Sequence, residues 1–126
     1  MVNNARDAYL GASINTASPQ RLLVMLCERL VLDVQRAKAA QESADHQGAH
    51  TQLLHAQDIV IELRSSLKVD AWSGAAALGS LYDWLLNQLM MANTRRDVTL
   101  TAHCLTLAEQ LCDTWREAAL SHAAAS

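Results

Sequence analysis

The residues of this chain best suited to chemistry are a pair of histidines, three cysteines and a serine beside the only proline. His46 and His50 stand four apart and would share one helix face, where two imidazoles could offer themselves to zinc. A zinc protease needs Glu directly after the first His, and Gln47 stands there. With no third ligand evident, both read as solvated residues at a helix start. Cys27, Cys104 and Cys112 are odd in number and widely spaced, with no C-x-x-C pair. They read as reduced thiols packed as small apolar groups. Ser18 lacks a G-x-S-x-G setting and reads as a helix cap. Gly74 and Gly79 do not make a phosphate loop.

His103 carries the one enzyme-like alternative. A histidine phosphotransfer domain is a four-helix bundle of this size with one exposed His that accepts phosphate, and "AHCLTLAEQL" (102–111) loosely resembles its signature. That signature wants Lys three residues after the His and Gly four after, where this chain has Thr106 and Leu107. Without the cation the phosphoryl charge is unbalanced, and Leu107 crowds the approach. His103 therefore reads as a plain surface residue.

Whatever these side chains do, helices must hold them. The 126 residues are 51% apolar and 18% charged, with four Gly and one Pro, which describes one helical globular domain. A net charge of −3 without a basic run argues against nucleic acid and anionic membrane surfaces. No apolar run reaches the roughly 20 residues of a membrane span. "MVNNARDAYL" lacks the cationic start and apolar stretch of a secretion signal, so a cytoplasmic location is expected.

Breakers divide the chain into an arm over 1–17 and four helices, starting near Pro19, His46, Ser73 and Asp97. The first three are predicted to end near Gln41, Lys68 and Ala92, and the fourth to fade into a frayed tail at 121–126. Short links make successive helices antiparallel neighbours, so the expected fold is an all-α, up-and-down four-helix bundle with an N-terminal arm or short capping helix. Core stripes step by three and four: Leu53, Ala56, Val60, Leu63 and Leu67, then Leu78, Leu81, Tyr82, Leu85, Leu89 and Ala92, then Leu105, Ala108, Cys112, Trp115 and Ala119. Asp33 falls near the core side of the first helix and needs a partner such as Arg29 or Arg36.

A second set of apolar residues lies off these stripes, in pairs seven apart: Met25 and Leu32, Leu54 and Ile61, Trp84 and Met91, Leu100 and Leu107. A bundle helix touches two neighbours, so a wide apolar face is ordinary. The sharper reading is that some of these ridges line a groove for a partner segment. Each side chain covered there would contribute about 1.5–3 kcal/mol. Self-association through the same ridges is a third reading.

Four stretches resemble the FliS family of flagellar export chaperones: "AYLGASINTASPQRLLVMLCERLVLDVQRAKAA", "HAQDIVIELRSSL", "LYDWLLNQLMMAN" and "LAEQLCDTWREA". They cover most of the chain in the family's order. The matching positions are Tyr9, Thr16, Ala17, Ser18, Pro19, Leu22, Met25, Leu26, Leu81, Tyr82, Asp83, Ala92, Asn93 and Trp115. Cys27 departs from the family's usual Tyr, and Trp72 replaces a small polar residue.

The resemblance implies a bundle that binds the disordered C-terminal segment of flagellin in the cytoplasm, prevents early polymerisation and delivers it to the type III export gate. It implies no enzymatic activity and no cofactor. An export-gate component or regulator as a further partner, and a monomer or homodimer without cargo, stay open. Candidate contacts are then Tyr9, Ile14, Met25, Leu32, Leu54, Ile61, Tyr82, Trp84, Met91 and Asn93. Among the carried positions, Ser18 and Pro19 start a helix, Asn93 ends one, and Leu81 and Trp115 sit on core stripes. Tyr82 suits the core and a binding role equally. The arm bearing Tyr9 and Ile14 is expected to occupy a groove until flagellin displaces it.

Overall fold

The computed structural model describes residues 18–68, 70 and 72–125. Its helices are α1 (Pro19–Glu42), α2 (His46–Ser66), α3 (Ala75–Thr94) and α4 (Val98–Ala125). Thr16, Ala17, Tyr9, Ile14 and the rest of the expected arm lie outside the described residues.

Local chemistry sets the boundaries. Ser18 Oγ accepts the Arg21 N–H at 3.1 Å and Pro19 occupies the first turn, where its missing N–H costs nothing. Asp45 Oδ1 accepts the Gly48 N–H at 2.9 Å. A Cβ on Gly48 would meet the Asp45 carboxylate, which would have to shift from its capping position. Asp97 Oδ1 accepts from Thr99 N–H at 2.9 Å and Leu100 N–H at 3.3 Å.

The α1–α2 and α3–α4 turns share one construction. A single left-handed residue, Ala44 (φ 59°) or Arg96 (φ 49°), precedes the capping aspartate. The aspartate's own N–H then returns to a carbonyl five residues back, Ala40 or Ala92. Such tight reversals force antiparallel neighbours.

α1 packs on α2 and α4, and α3 closes the bundle against the same two, its contact with α4 the thinnest. The core draws Cys27, Leu30 and Val34 from α1, Leu53, Val60 and Leu63 from α2, Tyr82, Leu85 and Leu89 from α3, and Cys104, Ala108 and Cys112 from α4. The expected all-α bundle is therefore the fold.

Several local expectations need correction. Leu81 is only half-buried, and Leu86 packs on the core instead, beside the expected Leu78. Asn93 does not end α3. Thr94 stays helical and the left-handed position falls at Arg96. α4 is helical as far as Ala125, which leaves the expected fraying of its end untested. Trp115 is partly buried against the core, its Nε1–H donating to Tyr82 Oη at 3.1 Å.

Asp33 is 0% exposed on the α1 face toward α2. It accepts from Arg29 Nε at 3.0 Å and meets His55 Nδ1 of α2 through its other oxygen. Burial pushes its carboxyl above the ordinary carboxylate range, while the hydrogen bond and charge of His55, then Arg29, pull it back less strongly. A raised acid pKa means the native state holds the proton more tightly than the unfolded chain. Asp33 thus favours folding most below its unfolded pKa, and that contribution is lost as pH rises through the folded value. Asp33→Asn, which does not titrate, is expected to gain in melting temperature relative to the parent as pH is raised from about 4 to 7. A difference constant with pH would contradict this.

Candidate functional site

Large apolar side chains stay exposed on α2, α3 and α4. Among the described residues the exposed large apolar side chains are Leu54, Ile61, Trp72, Trp84, Met90, Val98 and Leu120, and none of them belongs to α1. Leu54 and Ile61 are each 43% exposed and Trp84 is 52% exposed. An isolated exposed Leu would be ordinary; a grouped set is not.

Three of them, Leu54, Ile61 and Met90, are grouped by register. On α2, His50, Leu54, Gln57, Ile61 and Arg64 step by four and three along one stripe. On α3, Asp83, Leu86, Met90 and Asn93 do the same. The stripes face each other, because both ends are tied across the helix pair. The Asn93 amide meets His50 Nδ1, with Nδ2 at 2.9 Å and Oδ1 at 3.2 Å, and Arg64 Nε donates to Asp83 Oδ1 at 3.0 Å. Between the polar ties the stripes are apolar except for Gln57. Gly79 eases the second tie, since a Cβ there would press on the Arg64 guanidinium and make it give by a few tenths of an ångström.

Trp84 and Met91 sit on the outer face of α3. Met91 is half-buried, its sulfur accepting from Asn87 Nδ2 at 3.6 Å. Met25 and Leu32 are half-buried on α1, and Leu100 and Leu107 pack on the core. Of the candidates, then, Leu54, Ile61, Trp84 and Met91 lie on the α2–α3 side, and Asn93 serves there as a tie.

Tyr82, read as fitting either role, is 1% exposed. Burial raises its hydroxyl pKa to about 12. Its ring helps to line a cleft of about 410 Å³ with Leu23, Leu63, Trp72 and Trp115. Met90, at 48% exposure, is a track residue that the sequence reading missed. Its signal was the step of seven from Asp83, a stripe drowned by the stronger core pattern of Leu85 and Leu89.

Other chemistry finds little support. Cys27, Cys104 and Cys112 are buried free thiols. Burial pushes Cys27 up to about 12 and Cys104 up to about 11, and raises Cys112 as well, so the nucleophilic thiolate is suppressed. Cys27 is sealed in the core, so its departure from Tyr changes interior packing rather than an exposed wall. No group of three metal-ligating side chains is placed to hold an ion among the described residues. His103 is exposed on α4, with Thr106 and Leu107 on the following turn. No helix among the described residues is long and apolar enough to cross a membrane.

Fold and surface together define an all-helical bundle whose apolar residues exceed what its core encloses. The chain belongs to the FliS family: the family profile described as flagellar protein FliS matches residues 1–122. It is 29% identical over 117 residues to the flagellar secretion chaperone FliS of Bacillus subtilis (strain 168), covering 93% of this chain and 87% of that protein. It is 28% identical over 111 residues to the protein of that name from Vibrio cholerae, covering 87% of this chain and 82% of the relative. It is 29% identical over 112 residues to the one from Escherichia coli (strain K12), with coverage of 87% and 82%.

Proposed function

We propose that this protein is a cytoplasmic chaperone that binds the disordered C-terminal segment of flagellin, prevents premature polymerisation and delivers it to the flagellar type III export apparatus. It acts by binding and not by catalysis. The observation that carries this reading is the apolar track between α2 and α3, with Leu54, Ile61 and Met90 open between two polar ties. A disordered client that folds on such a track forms many weak contacts and offsets part of them with its own ordering entropy, which suits handover.

The arm bearing Tyr9 and Ile14 acts in this reading as a placeholder that flagellin displaces. Calorimetric titration with a peptide of the flagellin C-terminal segment tests the main proposal, with a peptide lacking the terminal apolar positions as control. Saturable binding of the first alone is expected; equal or absent binding of both would overturn it. Deleting residues 1–14 is expected to tighten the complex, and unchanged affinity would rule out competition by the arm.

A further inference from the structure

We propose that the cavity between the α1–α2 and α3–α4 turns is a binding site for a small phosphate monoester that also carries a hydroxyl group. The cavity has a volume of about 360 Å³, and Gln41, His46, His50, Asn93 and Arg96 help to line it. That size is at the low end for a small-molecule site and holds a phosphate with a body of a few carbons.

Charge is the first argument. The chain carries a net charge of −3, yet His46, His50 and Arg96 can all be cationic, and no carboxylate lines the cavity among the described residues. The carboxylates of the surrounding turns are engaged elsewhere. Glu42 Oε2 accepts from Lys38 Nζ at 3.2 Å, Asp45 Oδ1 from the Gly48 N–H at 2.9 Å, and Asp97 Oδ1 from the Thr99 N–H at 2.9 Å. His46 and Arg96 are exposed and have no side-chain hydrogen bond or ion pair among the described residues. His50 keeps Nε2 for a ligand, since its Nδ1 meets the Asn93 amide.

The backbone at Arg96 is the second. It is left-handed (φ 49°), a conformation that favours Gly or Asn, and the matching place in the other turn holds the small Ala44. The turn therefore does not account for an arginine. Its place in the cavity wall does, because a planar fork of N–H donors matches two oxygens of one phosphate.

The third is an orphaned oxygen. Gln41 Nε2 donates to the Ala92 carbonyl at 3.3 Å, but Gln41 Oε1 is buried without a partner, the one such side-chain atom among the described residues. A leftover acceptor in a cavity wall calls for a donor, and a ligand hydroxyl supplies it. A bare anion would leave that oxygen unanswered. A carboxylate, with one charge and two oxygens, would leave part of the cationic set idle.

NMR titration of the full chain with glycerol 3-phosphate tests the site, with inorganic phosphate and glycerol as comparison ligands. The ester is expected to saturate one site with a dissociation constant of about 1 mM or below. Inorganic phosphate should bind more weakly, and glycerol not at all. His46→Gln and Arg96→Asn should each weaken the ester at least about tenfold. Asn tolerates the left-handed backbone, so Arg96→Asn should melt no lower than the parent. Gln41→Met should erase the advantage of the ester over inorganic phosphate. Lys68→Gln, at the opposite end of the bundle, should change nothing.

No saturation up to about 20 mM ester overturns the site, as does binding indifferent to both His46→Gln and Arg96→Asn. Equal affinity for the ester and inorganic phosphate overturns the hydroxyl-bearing ligand. If a phosphoserine peptide binds and glycerol 3-phosphate does not, the cavity takes a protein and the small-molecule site falls. None of these results depends on flagellin peptide binding, so this site and the client reading fail separately.

Discussion

Replacing Leu54 and Ile61 together by Asp is expected to weaken binding of the flagellin C-terminal segment about a hundredfold, a loss near 3 kcal/mol. Both side chains keep 43% of their surface in water, so their burial by a client is still to be gained. Covering the remaining surface of the two contributes a kcal/mol or more, at about 25 cal/mol per Å². Two carboxylates on the same track must instead be desolvated against apolar client side chains, and the guanidinium of Arg64 on that stripe is already bonded to Asp83. The fold should hardly register the change, because neither residue belongs to the core and surface substitutions generally stay within about 0.5 kcal/mol. Titration calorimetry on the variant, paired with a thermal melt, separates the two effects. Gln35→Asp, on the helix with no large exposed apolar residue, should leave affinity within about twofold. Equal loss in both variants would place the client elsewhere.

The same residues show where sequence reasoning reaches and where it stops. Helix starts were legible because caps are local: Ser18–Pro19 and Asp45 need only their next three residues to act. Core stripes were legible because burial repeats with the helix period. Leu81 misled because it lies one residue, or 100°, from Tyr82, and a stripe does not reveal which of two adjacent positions the neighbouring helix covers. Arg29 was a foreseeable partner for Asp33 because it stands one turn away. His55 was not, since no local pattern links it to Asp33. The tight turn supplies the missing rule: in an antiparallel pair reversing at Ala44, positions equidistant from Ala44 meet, and Asp33 and His55 are each eleven residues from it. The α2–α3 ties had no such centre, because the longer link over 67–74 does not fix the register.

Tyr82→Ala is expected to destabilise the fold by about 4 kcal/mol, the largest single-residue effect foreseen here, while Tyr82→Phe should cost only about 1 kcal/mol. The ring is 1% exposed among Cys27, Leu85 and the other core side chains, so truncation opens a cavity that four helices cannot collapse around without losing their own packing. The Phe variant keeps the volume and removes only the acceptor of the Trp115 Nε1–H bond. Trp115 is partly exposed, so that donor regains water and the cost stays small. Chemical denaturation curves give both numbers. The comparison also decides what Tyr82 is for. A residue that touches the client directly would lose affinity on Tyr82→Phe at unchanged stability. A residue that holds Trp115 and the cleft in place would lose affinity only as the fold loosens, so that peptide binding by the Phe variant, measured well below its melting temperature, should match the parent.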